Sequence, residues 1–232
     1  MGEYKKVMES RESGGIDLNV CCSDNSGHYT VRELVEQARQ QGMDMIAITG
    51  RDCIPVKDPV LKTFSGHPEI LAGCIYSCRF LTEEGLIHPV TIVGLYPYGI
   101  REDYQGPFPY QTEEKYPALE EVVREIGNNL GIAVVPNLFQ FDLTAKEIHI
   151  LLREFCKAAE GRPAAIEVYC SGNTMAQQNC LEHLADQYGL LRSAAGRRTE
   201  ESVDFAHGDW ALFARMWHAL DDYIMGAIQP FR

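Results

Sequence analysis

The chain has 232 residues, 45% of them hydrophobic, enough to bury a sizeable core in a single domain. Its formal net charge of −12 speaks against broad electrostatic binding to nucleic acid or to an anionic membrane. No run of about 18 apolar residues exists to span a bilayer, and the polar start lacks the apolar core of a signal peptide, which predicts a cytoplasmic protein.

Residues 1–15 are expected to form a flexible arm ahead of one α/β domain spanning 16–232. The first predicted strand is Ile16–Val20. A polar loop leads to Thr30-Val-Arg-Glu33, a capping box, and the stripe Leu34, Val35 and Ala38 predicts a helix over 30–41 that Gly42 stops. Apolar runs then predict strands at Met45–Thr49, Ile70–Ser77 and Val90–Leu95. Residues 97–117, with four prolines and four tyrosines but no periodicity, read as a long loop or lid.

A helix over 118–130 and a strand at Ile132–Val135 follow. Thr144-Ala-Lys-Glu147 is a second capping box, opening a helix with Ile148, Leu151, Leu152 and Phe155 on one stripe. The chain closes with a strand at Ala165–Tyr169, a helix over 174–188, a strand at Leu190–Ala194 and a helix over 209–228. Strands alternating with helices predict βαβ units and a largely parallel seven-stranded sheet. Trp210, Phe213 and Trp217 share one face of the last helix, as core or as the face of a homo-oligomer. Eight cysteines with no C-x-x-C pair are expected to be mostly small buried thiols. The histidines at 67, 88, 149, 183 and 218 read as surface or packing residues; Cys21 and His28 would make a nucleophile pair, but no third group is indicated.

The segments Ile16-Asp17-Leu18-Asn19-Val20-Cys21 and Thr49-Gly50-Arg51-Asp52 resemble strand ends of the PHP (polymerase and histidinol phosphatase) family, which read Asp-Leu-His-x-His and Thr-Asp-His-Asp. The resemblance extends by pattern to Glu200. Ala72-Gly73-Cys74-Ile75 stands where the family has Pro-Gly-x-Glu, Thr91-Ile92-Val93-Gly94 for His-x-x-Gly, Pro136-Asn137-Leu138 for Ala-His-Pro, and Gly196-Arg197-Arg198-Thr199-Glu200 for Gly-Ser-Asp-x-His. It implies a PHP-like distorted (β/α)7 barrel. In the family, imidazoles and carboxylates at these strand ends hold divalent ions that activate water against phosphate esters.

At the matched positions, Asn19, Arg51, Ile75, Thr91, Asn137 and Arg198 replace ligands, so no metal cofactor is expected. The expected function is that of a catalytically degenerate PHP-domain protein binding a small phosphate-containing anion, or a protein partner. Arg51, Arg197 and Arg198 would hold the anion, flanked by Asn19 and Asn137. Against this stands a structural role, in which the arginines pair with Asp17, Asp52, Glu167 or Glu200. The alternative is a metal-dependent phosphoesterase with a reduced Zn, Mn or Fe site built from Cys21, Asp52, Glu200, Asp204 and His207. In that case the closing motif lies at 204–208 (Asp204-Phe-Ala-His207-Gly208) rather than at 196–200.

Overall fold

The computed structural model describes residues 15–22, 29–55, 68–82, 84–100, 104, 116–198, 203–206 and 208–228, with the backbone alone at Arg197, Arg198 and Ile228. The expected arm, apart from Gly15, and most of 97–117 lie outside these residues, as do His28, His67, Glu200 and His207. Seven strands form one sheet in chain order: β1 (Gly15–Cys21), β2 (Met43–Arg51), β3 (Glu69–Leu81), β4 (Ile87–Tyr96), β5 (Ile132–Val135), β6 (Ala164–Cys170) and β7 (Leu191–Ala195). A short hairpin, β8 (Arg197–Arg198) with β9 (Val203–Asp204), follows. The helices are α1 (Val31–Gln40), α2 (Leu119–Asn128), α3 (Ala145–Ala159), α4 (Met175–Tyr188) and α5 (Trp210–Ile228).

Local chemistry sets the helix ends. At Thr30 the hydroxyl accepts from Glu33 N at 3.3 Å while the Glu33 carboxylate accepts from Thr30 N at 2.7 Å. Thr144 and Glu147 repeat the arrangement, and Thr174 with Gln177 adds a third box, less obvious in the sequence because glutamine takes the place of glutamate. Gly42 and Gly189, at φ of 69° and 65°, supply the left-handed turns after α1 and α4.

The sheet is parallel except at β4, which runs antiparallel to both β3 and β5. Where a crossover was expected, β3 and β4 form a hairpin. Its turn is closed by Thr82, whose hydroxyl accepts from Leu86 N at 3.1 Å, and by Gly85 at φ 81°. Both strands are longer than expected because they run on into this hairpin. As a result β4 ends at the edge of the sheet opposite Cys21 and Arg51. Residues 97–117 therefore start away from the C-terminal ends of the parallel strands: the Tyr98 ring lies 4.9 Å from that of Trp217 of α5 and its hydroxyl bonds Asp221.

One face of every strand enters a common apolar cluster: Ile16, Met45, Leu71, Val93, Val134, Ala165 and Ala194, from β1 to β7 in turn. Trp210, Phe213 and Met216 of α5 complete it, so the aromatic stripe is core, with Trp217 half-buried at its margin. On the other face, α2, α3 and α4 bury Val122, Ile126, Leu151, Phe155 and Leu181 against β3 to β6, while α1 packs Leu34, Val35 and Ala38 on β2. Each such side chain contributes about 1.5–3 kcal/mol of burial. No ladder pairs β1 with β7 among the described residues. They meet instead through Asp17, whose carboxylate accepts from Gly196 N, while Ile16 bridges Gly208. The molecule is thus a mixed α/β domain whose seven-stranded sheet is compatible with a barrel-like fold.

Cys22, Cys74 and Cys78 are buried, Cys21, Cys53, Cys156 and Cys170 half-buried and Cys180 exposed, fewer buried thiols than expected. No helix among the described residues is long and apolar enough to cross a membrane.

Candidate functional site

Two irregularities in the sheet face each other across the site. Between Asp17 and Val20, β1 advances three residues while β2 advances two, from Ile46 to Ile48. Between Glu167 and Tyr169, β6 advances two residues while β7 advances one, from Ser193 to Ala194. A bulge of this kind re-aims the side chains beside it. Here Asn19 and Glu167 are brought together although 148 residues separate them.

The result is a chain of polar groups running from Thr49 to Asn173. Asn19 Nδ2 donates to Glu167 Oε1 at 2.8 Å, and Asn19 Oδ1 accepts from the Thr49 hydroxyl at 2.9 Å. The second oxygen, Glu167 Oε2, accepts from the backbone N–H of Asn137 at 2.9 Å. Asn137 donates through Nδ2 to Asn173 Oδ1 at 2.8 Å and accepts at Oδ1 from Phe139 N at 3.1 Å. Below Asn19, Asp17 accepts three backbone bonds: Asn19 N at 3.0 Å, Gly196 N at 2.8 Å and Ala206 N at 3.0 Å. Asp17, Thr49 and Glu167 are at most 3% exposed.

Burying carboxylates without cations has an electrostatic cost. Burial pushes Glu167 up to about 7 from its ordinary 4.5, held back by the Asn19 and Asn137 bonds and raised further by the Asp17 charge. Burial likewise pushes Asp17 up to about 6 from 3.8, opposed by its three amide donors and reinforced by Asp204. Both groups therefore exchange a proton near neutral pH.

The structure brings Asn19 and Asn137 together on Glu167. Arg51, the last residue of β2, is exposed. Arg197 and Arg198 form β8, paired with Asp204 and Val203. Among the described residues Asp17 and Glu167 accept from uncharged donors, and Asp52 accepts from Ser77 N at 2.8 Å and Ser77 Oγ at 2.9 Å. Its positive φ of 52° places Asp52 in the turn that ties β2 to β3. Cys21 is half-buried, and Asp204 is exposed. Gly196 directly follows β7, and Asp204 lies in β9. Both registers touch Asp17, one through Gly196 N and the other through Ala206 N.

Among the described residues no three His, Cys, Asp or Glu side chains gather as a metal set. In the sequence, Asp17 and Glu167 stood out only as partners for arginine. The signal for their role was a carboxylate inside an apolar strand, as in Ala164-Ala-Ile-Glu167-Val, since such a residue is rarely buried unless it is held.

No family model and no curated protein matches this chain. Solved structures do. An amidohydrolase from Chromobacterium violaceum, with bound sulfate and no metal, superposes with a TM-score of 0.68 at 16% identity, covering 89% of this chain and 97% of that one. A proposed metal-dependent phosphoesterase from Bifidobacterium adolescentis gives 0.60 at 15% identity, covering 90% and 98%. At these identities the likeness shows the fold alone.

Proposed function

We propose that this chain is a PHP-like barrel protein that has given up the metal-dependent reaction and binds a small phosphate-containing anion. The observation that carries this reading is Asn19. It stands where the resemblance puts a metal-binding imidazole, and its amide is tied off on both sides, to Thr49 and to Glu167. Anion recognition rests on Arg51, Arg197 and Arg198, whose guanidinium groups fork onto phosphate oxygens. The sulfate in the metal-free Chromobacterium amidohydrolase supports an anion site on this fold.

Calorimetry with phosphate and sugar phosphates tests the reading. Arg51→Ala and Arg198→Ala are each expected to cost about 1.5–3 kcal/mol, a loss of roughly tenfold to a hundredfold in affinity. Elemental analysis of the purified protein is expected to find no stoichiometric Zn, Mn or Fe. The likeness to a proposed metal-dependent phosphoesterase keeps a second reading in view, a reduced site on Cys21, Asp52, Glu200, Asp204 and His207. Metal-dependent ester hydrolysis lost in Cys21→Ala or Glu200→Ala would establish that reading instead. Absence of any anion binding would move the function to a protein partner.

A further inference from the structure

On the outer side of the sheet, a cavity of about 600 Å³ opens between the far end of the β3–β4 hairpin, the start of α2 and the second half of α3. It shares no residue with the Asn19–Glu167 network, and its occupancy is independent of any anion held by Arg51 or Arg198. Phe80, Leu119 and Ala158 line it as buried groups. Leu81 and Ile87 line it while 62% and 61% exposed, and Leu86 beside them in the hairpin is 54% exposed. Three large aliphatic side chains left in water on one hairpin tip cost free energy that a bound apolar group would recover.

Charge narrows the occupant. Of the four charged residues around the cavity, Glu120 is paired with Arg124, and Glu154 with Lys157. Arg79 remains. Its backbone N–H is fixed on Pro117 O at 2.9 Å, and its guanidinium, at an exposed position, makes no ion pair among the described residues. A volume within the range of small-molecule sites, aliphatic walls and one uncommitted cation belong together. We infer that this cavity binds an amphipathic carboxylate, with its aliphatic chain along Phe80, Leu81 and Ile87 and its carboxylate on Arg79.

Decanoate and decanol, used below their aggregation limits, separate the two halves of the site. Titration calorimetry is expected to show saturable binding of one decanoate per chain. Arg79→Glu is expected to weaken decanoate by about fivefold or more while leaving decanol within about twofold. Leu81→Ser combined with Ile87→Ser is expected to weaken both probes; these side chains are exposed, so the variant keeps its fold, as circular dichroism checks. The inference is overturned by any of three results: no saturable uptake of decanoate, equal loss of both probes in Arg79→Glu, or a change of oligomeric state in the double variant. The last result would make the hairpin face a contact between copies of this chain.

Discussion

Glu167 lies within an apolar strand, yet each of its oxygens is met by an uncharged donor. Protonation is therefore part of its energetics. Folding raises the proton affinity of Glu167 and Asp17, so their contribution to stability is complete below the unfolded values near 4. It is lost as pH rises through about 6 for Asp17 and about 7 for Glu167. Denaturation in urea is expected to show stability falling from pH 5 to pH 8, with at most about 1.4 kcal/mol per pH unit from each group. Glu167→Gln should flatten the upper part of that fall; an unchanged slope would refute the assignment. Asn19→Ala strands the Thr49 hydroxyl and one Glu167 oxygen, and is expected to cost about 1–3 kcal/mol at pH 7. Gly196 offers a steric counterpart: a Cβ there would overlap Asp204 O and the Asp17 carboxylate. Gly196→Ala is accordingly expected to destabilise more than a surface change, by about 1–3 kcal/mol, and to shift the Asp17 titration seen by NMR.

At the scale of elements, the strands and helices were legible because their signals are local. Apolar runs marked all seven strands, and the boxes at Thr30 and Thr144 marked two helix starts to the residue. Thr144→Ala is expected to lower stability by about 1 kcal/mol, as read from the urea midpoint. The direction of β4 was not legible in the same way. Hydropathy records which face a strand buries but not which way it runs; only the connection carries that, and here it is the short polar turn from Thr82 to Gly85. The site was half legible. Motif matching found Asn19 and Asn137, which hold the network, while the bulges that swing Asn19 toward Glu167 leave no periodic trace. The arginines were identified by position alone, and nothing in a local pattern says where so long a side chain ends.

Across the whole molecule, one apolar cluster takes a side chain from every strand and is completed by α5. Sheet and helix should therefore unfold together. Fluorescence of Trp210 and Trp217, the chain's two tryptophans and both on α5, is expected to follow the same denaturation curve as the far-ultraviolet circular dichroism. An earlier fluorescence transition would show α5 detaching from a sheet that stands without it. The way β1 meets β7 has a mechanical consequence. Elsewhere neighbouring strands are joined by ladders, which resist as many bonds pulled in parallel. Between β1 and the chain that follows β7 the hold is a clasp: the Gly196 and Ala206 amides on one Asp17 oxygen and a bridge at Gly208. A clasp yields all at once. Under tension applied between β1 and β7, this seam should part first and at low force, and alkaline buffer, by charging Asp17 without supplying a cation, should alter the force at which it opens.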